Sequence, residues 1–316
     1  MKNIKIIPNN NLYLLYSLLN VNSEFNVDDS IYSHFLRWKT YNHFKKYNGI
    51  KVSPELKGLD YSWFVSYVLT LKKDKLKQKT KLILNENYKN KVEKSKEILK
   101  HMLHFASHTD FDKFYISEIL PSYNEICIFL KDIVIKSNIE QIINDAWNTN
   151  SREFPMIIIP MPLEGIKSGI GPYINNISYQ IVGPPFNYSI LHNIAHEGSH
   201  PRVKKYLDKY NNEINNLTFN QFYDTANDLI KKLYCNKMSI FEEHLIRANQ
   251  IAKIDSKLFK IMYPIMDTYN ASQFLAYEES EKSMVYIRIF YDELLKENNI
   301  DHAIKNIINK MKLLKY

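Results

Sequence analysis

Two histidines four residues apart, with a glutamate beside the first, are the side chains of this chain best suited to chemistry: His196-Glu197-Gly198-Ser199-His200. Residues four apart on a helix share a face, so H-E-x-x-H lets His196 and His200 offer two imidazoles to one metal ion, the zinc-hydrolase pattern. Glu197 lies one step around, where it can reach a water on that metal without ligating it. Catalytic zinc usually takes three protein ligands and keeps one position for water. The third is expected from another element, and Phe241-Glu242-Glu243-His244-Leu245-Ile246-Arg247-Ala248 offers an acidic pair. Phe241, Leu245, Ala248 and Ala252 make an apolar stripe on that helix. Glu243 lies next to the stripe on the side of Arg247, whereas Glu242 lies with Lys253 on a more polar side. Glu243 is the favoured ligand and Glu242 the alternative. Arg247, one turn on, either fixes the Glu243 carboxylate as an i, i+4 salt bridge or binds a substrate carboxylate.

Other polar groups surround the motif in sequence. His192 is one turn before His196, and positions 192 and 200 of a straight helix are about 12 Å apart. It is expected as a group near the cleft or a plain polar helix residue, not a third ligand. His244, beside Glu243, is a candidate for polarising a carbonyl. Pro201 follows His200 directly. Its ring clashes with the carbonyl of residue 197 and disfavours helical geometry at residue 200, and Gly198 weakens the helix further. A kink or helix end is expected there.

The elements that must position these groups follow from hydrophobic periodicity. Up to about residue 150 the pattern is helical, with segments near 11–20, 28–47, 60–77, 81–107, 112–137 and 139–147. At 151 it changes. Phe154-Pro155-Met156-Ile157-Ile158-Ile159 predicts a short buried strand, and Tyr173 to Val182 a second one. Gly165, Gly169, Gly171 and Gly183 concentrate backbone freedom just before the motif. A helix starting near Asn187 carries the motif, and helices near 217–235, 239–255, 256–277, 279–297 and 301–314 follow. The expected fold is mainly α with a small β-sheet (α+β). It divides into a helical N-terminal region over 1–150 and a catalytic core with C-terminal helices over 151–316.

The order strand, Gly loop, edge strand, H-E-G-S-H helix, later Glu helix resembles the gluzincin branch of zinc metallopeptidases. It is similar in particular to an uncharacterised bacterial and archaeal gluzincin-like group with an H-E-x-S-H helix and a later E-x-x-x-R-A helix. Here those motifs match His196, Glu197, Ser199 and His200, then Glu243, Arg247 and Ala248. The resemblance covers about 150–255. It implies a zincin-like metallopeptidase core with His196, His200 and Glu243 holding Zn2+ and Glu197 as general base in peptide hydrolysis. A second donor usually helps hold the oxyanion, often a Tyr or His. Among 23 tyrosines the sequence does not choose it. Tyr179 lies on the strand Tyr173–Val182, which reads as an edge for docking an extended peptide by main-chain pairing.

Composition narrows the alternatives. The formal charge of +8 is nearly all Lys, and the arginines are only Arg37, Arg152, Arg202, Arg247 and Arg288. Arg supplies most base-edge and phosphate-fork contacts, so specific nucleic-acid binding is not expected. Cys127 and Cys235 are far apart in sequence, which provides no disulfide framework and suits a reducing, cytoplasmic setting. No apolar run is long enough to span a membrane. The expected partner is a peptide or protein substrate. Three competing readings remain: a zinc hydrolase of another substrate, an inactive zincin-like binding protein, and a Lys-rich helical nucleic-acid or partner-binding protein with a coincidental motif.

Overall fold

The computed structural model describes residues 4–21, 34–47, 49, 61–71, 89–150, 152–165, 169–184, 190–226, 231, 234, 236–262, 278 and 284–314. The fold is mainly α with one small mixed sheet. A short strand β1 (Ile4–Ile6) leads into α1 (Asn10–Val21), α2 (Phe35–Phe44), α3 (Tyr61–Leu69) and α4 (Lys89–His108). Helix α5 (Phe111–Phe114) passes through a π-helical turn, Tyr115–Ile119, into α6 (Leu120–Ser137), and α7 (Ile139–Ala146) follows. Then come β2 (Met156–Pro160), β3 (Gly169–Ile170), β4 (Tyr173–Ile174), β5 (Ile177–Val182) and α8 (Ile190–Leu207). The chain continues through α9 (Asn211–Asn215), α10 (Asn220–Thr225) and α11 (Lys237–Asn249). A second π-helical segment, Gln250–Asp255, joins α11 to α12 (Ser256–Met262), and α13 (Ile287–Lys296) and α14 (Ile300–Leu313) complete the described elements.

The sheet runs β1-β2-β5-β3, with β4 also on β5. Strands β1, β2 and β5 are parallel, while β3 and β4 run antiparallel to β5. Side chains alternate between faces along a strand. Ile158 and Val182 join the core built around α8 and the later helices, whereas Ile159 and Ile181 join the core of α1 to α5. The sheet is therefore a middle layer with helices on both faces. Helix α1 illustrates the inner packing: its residues from Asn11 to Asn20 are all buried, as suits a helix that is apolar on every side. The packing does not divide at residue 150. Leu130 to Trp147 share a core with α8 and the C-terminal helices, and β1 from the N-terminus extends the sheet of β2.

Two sequence expectations are corrected here. Tyr173–Val182 is not one edge strand but a hairpin, because Asn175 and Asn176 take left-handed φ values of 51° and 61°, as a tight two-residue turn requires. Its long arm, β5, is paired on both sides, to β2 and to β3 and β4. A peptide cannot dock along it by main-chain pairing. Strand β1, unforeseen in the periodicity, is only three residues long, too short for a period-2 signal. The parts of the expected helices within 28–33, 72–77, 81–88, 187–189, 227–230, 232–233, 263–277 and 279–283, together with residue 60 and Cys235, lie outside the described residues. Cys127 is a buried free thiol.

Candidate metal centre

Helix α8 lies across the sheet, and Gly198 explains how closely. A Cβ there would sit 2.8 Å from Gln180 Nε2 on β5, 3.2 Å from Ile143 Cδ1 on α7 and 3.6 Å from Met156 Sδ on β2. The bare backbone at residue 198 thus seats one face of α8 on the sheet. That face is pinned by polar contacts: the Trp147 indole donates to Ser199 Oγ at 2.8 Å, and Ser199 Oγ donates to the Ala195 carbonyl at 2.7 Å. The buried Arg202 guanidinium donates to Asn144 Oδ1 and to the Gly198 carbonyl. Tyr206 Oη donates to the Trp147 carbonyl at 2.6 Å.

These clamps correct the expectation at Pro201. The helix does not end there but runs on to Leu207. Pro201 is buried within it, and tertiary packing of Val203, Tyr206 and Leu207 outweighs the local cost. The carbonyl of Glu197, which Pro201 cannot serve with an N–H, faces Gly171, where a Cβ would lie 2.8 Å from that oxygen. Gly169 and Gly171 both press on Glu197: added Cβ atoms would lie 2.9 Å and 2.6 Å from its carboxylate oxygens. The glycines before the motif therefore form a close cover over Glu197.

With α8 fixed, His196, His200 and Glu243 converge. One ligand atom from each lies within 4.8 Å of the others. His196 Nε2 is 3.5 Å from Glu243 Oε1, and the two imidazoles meet nearly edge to face, 5.2 Å apart at 84°. Glu242 takes a different place from its neighbour. Its Oε1 accepts from His200 Nδ1 at 2.8 Å, which leaves Nε2 facing the cluster. Glu197 Oε2 is 4.0 Å from that Nε2. Arg247 Nε donates to Glu243 Oε1 at 2.6 Å, so of its two expected roles the structure shows the salt bridge. The Tyr234 hydroxyl hydrogen-bonds both Glu243 and Arg247.

The electrostatics follow from burial and these partners. Burial pushes the Glu197 carboxyl up to about 7, with Glu243 and Glu164 adding to the rise and His200 opposing it. Burial also opposes charge on Glu243, but His196, Arg247 and His200 together hold it ionised, down to about 2. His200 is pulled down by burial and pushed up more strongly by Glu242 and Glu197, to about 9. Burial lowers His196 to about 4. Without a metal the site holds an anionic Glu243, a cationic His200 and a neutral His196.

Three other expected site residues fall elsewhere. Tyr179 points to the opposite face of the sheet and packs against the N-terminal helical core, because it alternates with Gln180, whose side chain meets Gly198. His244 is fully buried. Its Nδ1 donates to the Ile240 carbonyl at 2.7 Å, and Phe222, Tyr286 and Phe290 pack around its ring. It is a core residue. His192 stays outside the cluster, its Nδ1 3.0 Å from Asp255 Oδ1. Sequence reasoning missed Asp255 and Gln250. The π-helical turn after α11 swings both toward α8: the Gln250 amide donates to the His192 carbonyl and hydrogen-bonds the His196 ring. Such turns often mark functional sites, but a strict three-and-four pattern does not reveal them.

No protein-family model matches this chain, and comparison with curated proteins finds no match. Comparison with solved structures finds none either.

Proposed function

We propose that this protein is a zinc-dependent metallopeptidase of the gluzincin type, acting on peptide or protein substrates in the cytoplasm. The observation that carries the reading is the convergence of His196, His200 and Glu243, with Glu197 beside them and Glu242 behind His200. The donor set fits the ion. Two imidazole nitrogens and one carboxylate oxygen suit zinc, and ligands at about 2.0–2.2 Å in a tetrahedron lie roughly 3.3–3.6 Å apart. The 3.5 Å between His196 Nε2 and Glu243 Oε1 falls in that range. A carboxylate hydrogen-bonded to the far nitrogen of a ligating histidine is the usual support for a zinc ligand.

Bound there, zinc would supply Lewis acidity, polarising a scissile carbonyl and acidifying water. The chain's own residues do the rest. Glu197, beside the cluster and 4.0 Å from His200 Nε2, takes the proton of the attacking water and delivers it to the leaving amine, acting as general base and then general acid. Glu242 keeps the His200 proton on Nδ1. Arg247 and Tyr234 hold the Glu243 carboxylate in place and ionised. Gly169 and Gly171 let the preceding backbone pack against the Glu197 carboxylate, where a side chain would collide with it. Among the described residues no helix is long and apolar enough to cross a membrane.

The test is metal content followed by turnover. The purified chain should hold about one zinc through dialysis against a weak chelator, and His196→Ala and Glu243→Ala should lose it. Glu197→Gln should keep the zinc while peptide hydrolysis falls by about 10²–10⁴-fold, the usual contribution of a general base. A wild-type chain that takes up no zinc even when supplemented would end this reading.

A further inference from the structure

A second pair of histidines at the same spacing lies outside this cluster, near the C-terminal end of α4: His104-Phe105-Ala106-Ser107-His108. The two rings are stacked, 3.9 Å between centroids and 13° from parallel. His108 Nδ1 lies 2.9 Å from the His104 carbonyl oxygen. A carbonyl only accepts, so Nδ1 carries the His108 proton and Nε2 is left with its lone pair. His104 Nδ1 lies 2.8 Å from Tyr47 Oη. A phenol can accept as well as donate, so the tautomer with Nδ1–H donating to Tyr47 frees His104 Nε2 in the same way. His108 is exposed and His104 half-buried, which leaves room for water as further ligands. In the stacked arrangement the two Nε2 lone pairs lie in near-parallel planes, so binding one ion requires both rings to rotate out of the stack about their side-chain bonds, a motion open to an i, i+4 pair on an exposed helix face.

We propose that His104 and His108 form a second metal site, a two-imidazole clip on the surface of α4 for a transition-metal ion. Imidazole ligands with water favour Cu2+ over Ni2+ and Zn2+. The clip ties the last turns of α4 together over Phe105, which is fully buried in the N-terminal helical core. Binding to the folded helix therefore stabilises that core by mass action. The α4 clip is independent of the α8 site.

The experiment is a Cu2+ titration of the full chain, read by calorimetry and by electron paramagnetic resonance. The double variant His196→Ala/His200→Ala should still bind one equivalent, with nitrogen splitting from two imidazoles. Adding His108→Ala or His104→Ala should remove that equivalent and the splitting. If the double variant fails to fold, His108→Ala alone decides: on a solvent-exposed side chain it should lower the wild-type stoichiometry by one equivalent. Unchanged stoichiometry in His108→Ala, or an unchanged two-nitrogen signal, overturns the proposal. Loss of zinc at α8 with copper retained at α4 would separate the two sites.

Discussion

Two of the histidine pairs spaced four apart, His104 and His108 on α4 and His196 and His200 on α8, sit in surroundings that differ in the features that govern metal chemistry. On α4 the rings stack and their Nδ1 atoms meet a phenol and a backbone carbonyl, both neutral. On α8 the rings turn edge to face, a carboxylate backs one of them, and the Glu243 carboxylate converges on them from α11. Even the residue two places after the first histidine differs. Ala106 carries a methyl, whereas Gly198 leaves its backbone against Gln180 and Ile143. Spacing makes a pair, but packing against another helix makes a centre with matched charge and a base beside it. Among the described residues the α4 pair stands without carboxylates, whereas the α8 pair has Glu197, Glu242 and Glu243 around it.

The largest test of that contrast removes what α4 lacks. Glu243→Ala should lower zinc affinity at α8 by more than about 100-fold, beyond the loss typical of an outer partner, leaving a two-histidine site comparable to the α4 pair. Competition with a fluorescent zinc chelator measures it. An affinity unchanged within a few-fold would show that Glu243 is a structural ion-pair partner of Arg247 and no ligand. Glu242→Gln should cost less, about 10–100-fold in metal affinity, because it removes the charge behind His200 and keeps its hydrogen-bonding shape.

The residues between the histidines offer a test of opposite sign. Alanine is the better helix former by about 1 kcal/mol, so Ala106→Gly should destabilise α4 by roughly that amount. At α8 the same logic favours Gly198→Ala, yet the added Cβ would lie 2.8 Å from Gln180 Nε2 and 3.2 Å from Ile143 Cδ1. Overpacking at a filled site costs about 1–3 kcal/mol, so Gly198→Ala should destabilise as well. Chemical denaturation of both variants decides. A stabilised Gly198→Ala would show that the sheet yields and that close seating of α8 is not what Gly198 provides.

How much of this was legible before the structure follows from which interactions are local. His196, Glu197, His200 and the preference for Glu243 over Glu242 could be read because helical spacing and an apolar stripe fix which way those residues face. The α+β composition and the strand Met156–Pro160 were legible for the same reason. The failures are tertiary. The helix survives Pro201 because Arg202, Ser199 and Tyr206 bind it to Asn144 and Trp147, a contact set with no local signature. Tyr179 was lost because it alternates with Gln180 and faces the N-terminal helical core, while the turn at Asn175 and Asn176 removed the docking edge. His244 reads as a polar neighbour of Glu243, yet burial among Phe222, Tyr286 and Phe290 makes it core. Gln250 and Asp255 depended on a π-helical turn that shifts the register after α11.

A further test concerns protons at α8. In the metal-free protein His200 is raised to about 9 and Glu197 to about 7. A group whose pKa rises on folding stabilises the fold fully below its unfolded value, and loses that contribution as pH climbs through the folded value. Unfolded His and Glu titrate near about 6.5 and 4.3. Glu197 should therefore cease to contribute as pH rises from about 4.3 to about 7, and His200 as it rises from about 6.5 to about 9. Glu243, lowered to about 2, contributes above about 4.3 and loses its share only in acid. Metal-free stability should thus decline from pH 6.5 to pH 9 through these two groups, and the decline should flatten in His200→Ala. Zinc must displace the His200 proton to bind, so its stabilising effect should grow over the same interval. Thermal melts with and without zinc at pH 6.5, 7.5 and 8.5 measure both trends. A zinc-induced shift that shrinks with pH would show that His200 does not compete with a proton for the metal, and would place the α8 pair closer to the α4 pair than its carboxylates suggest.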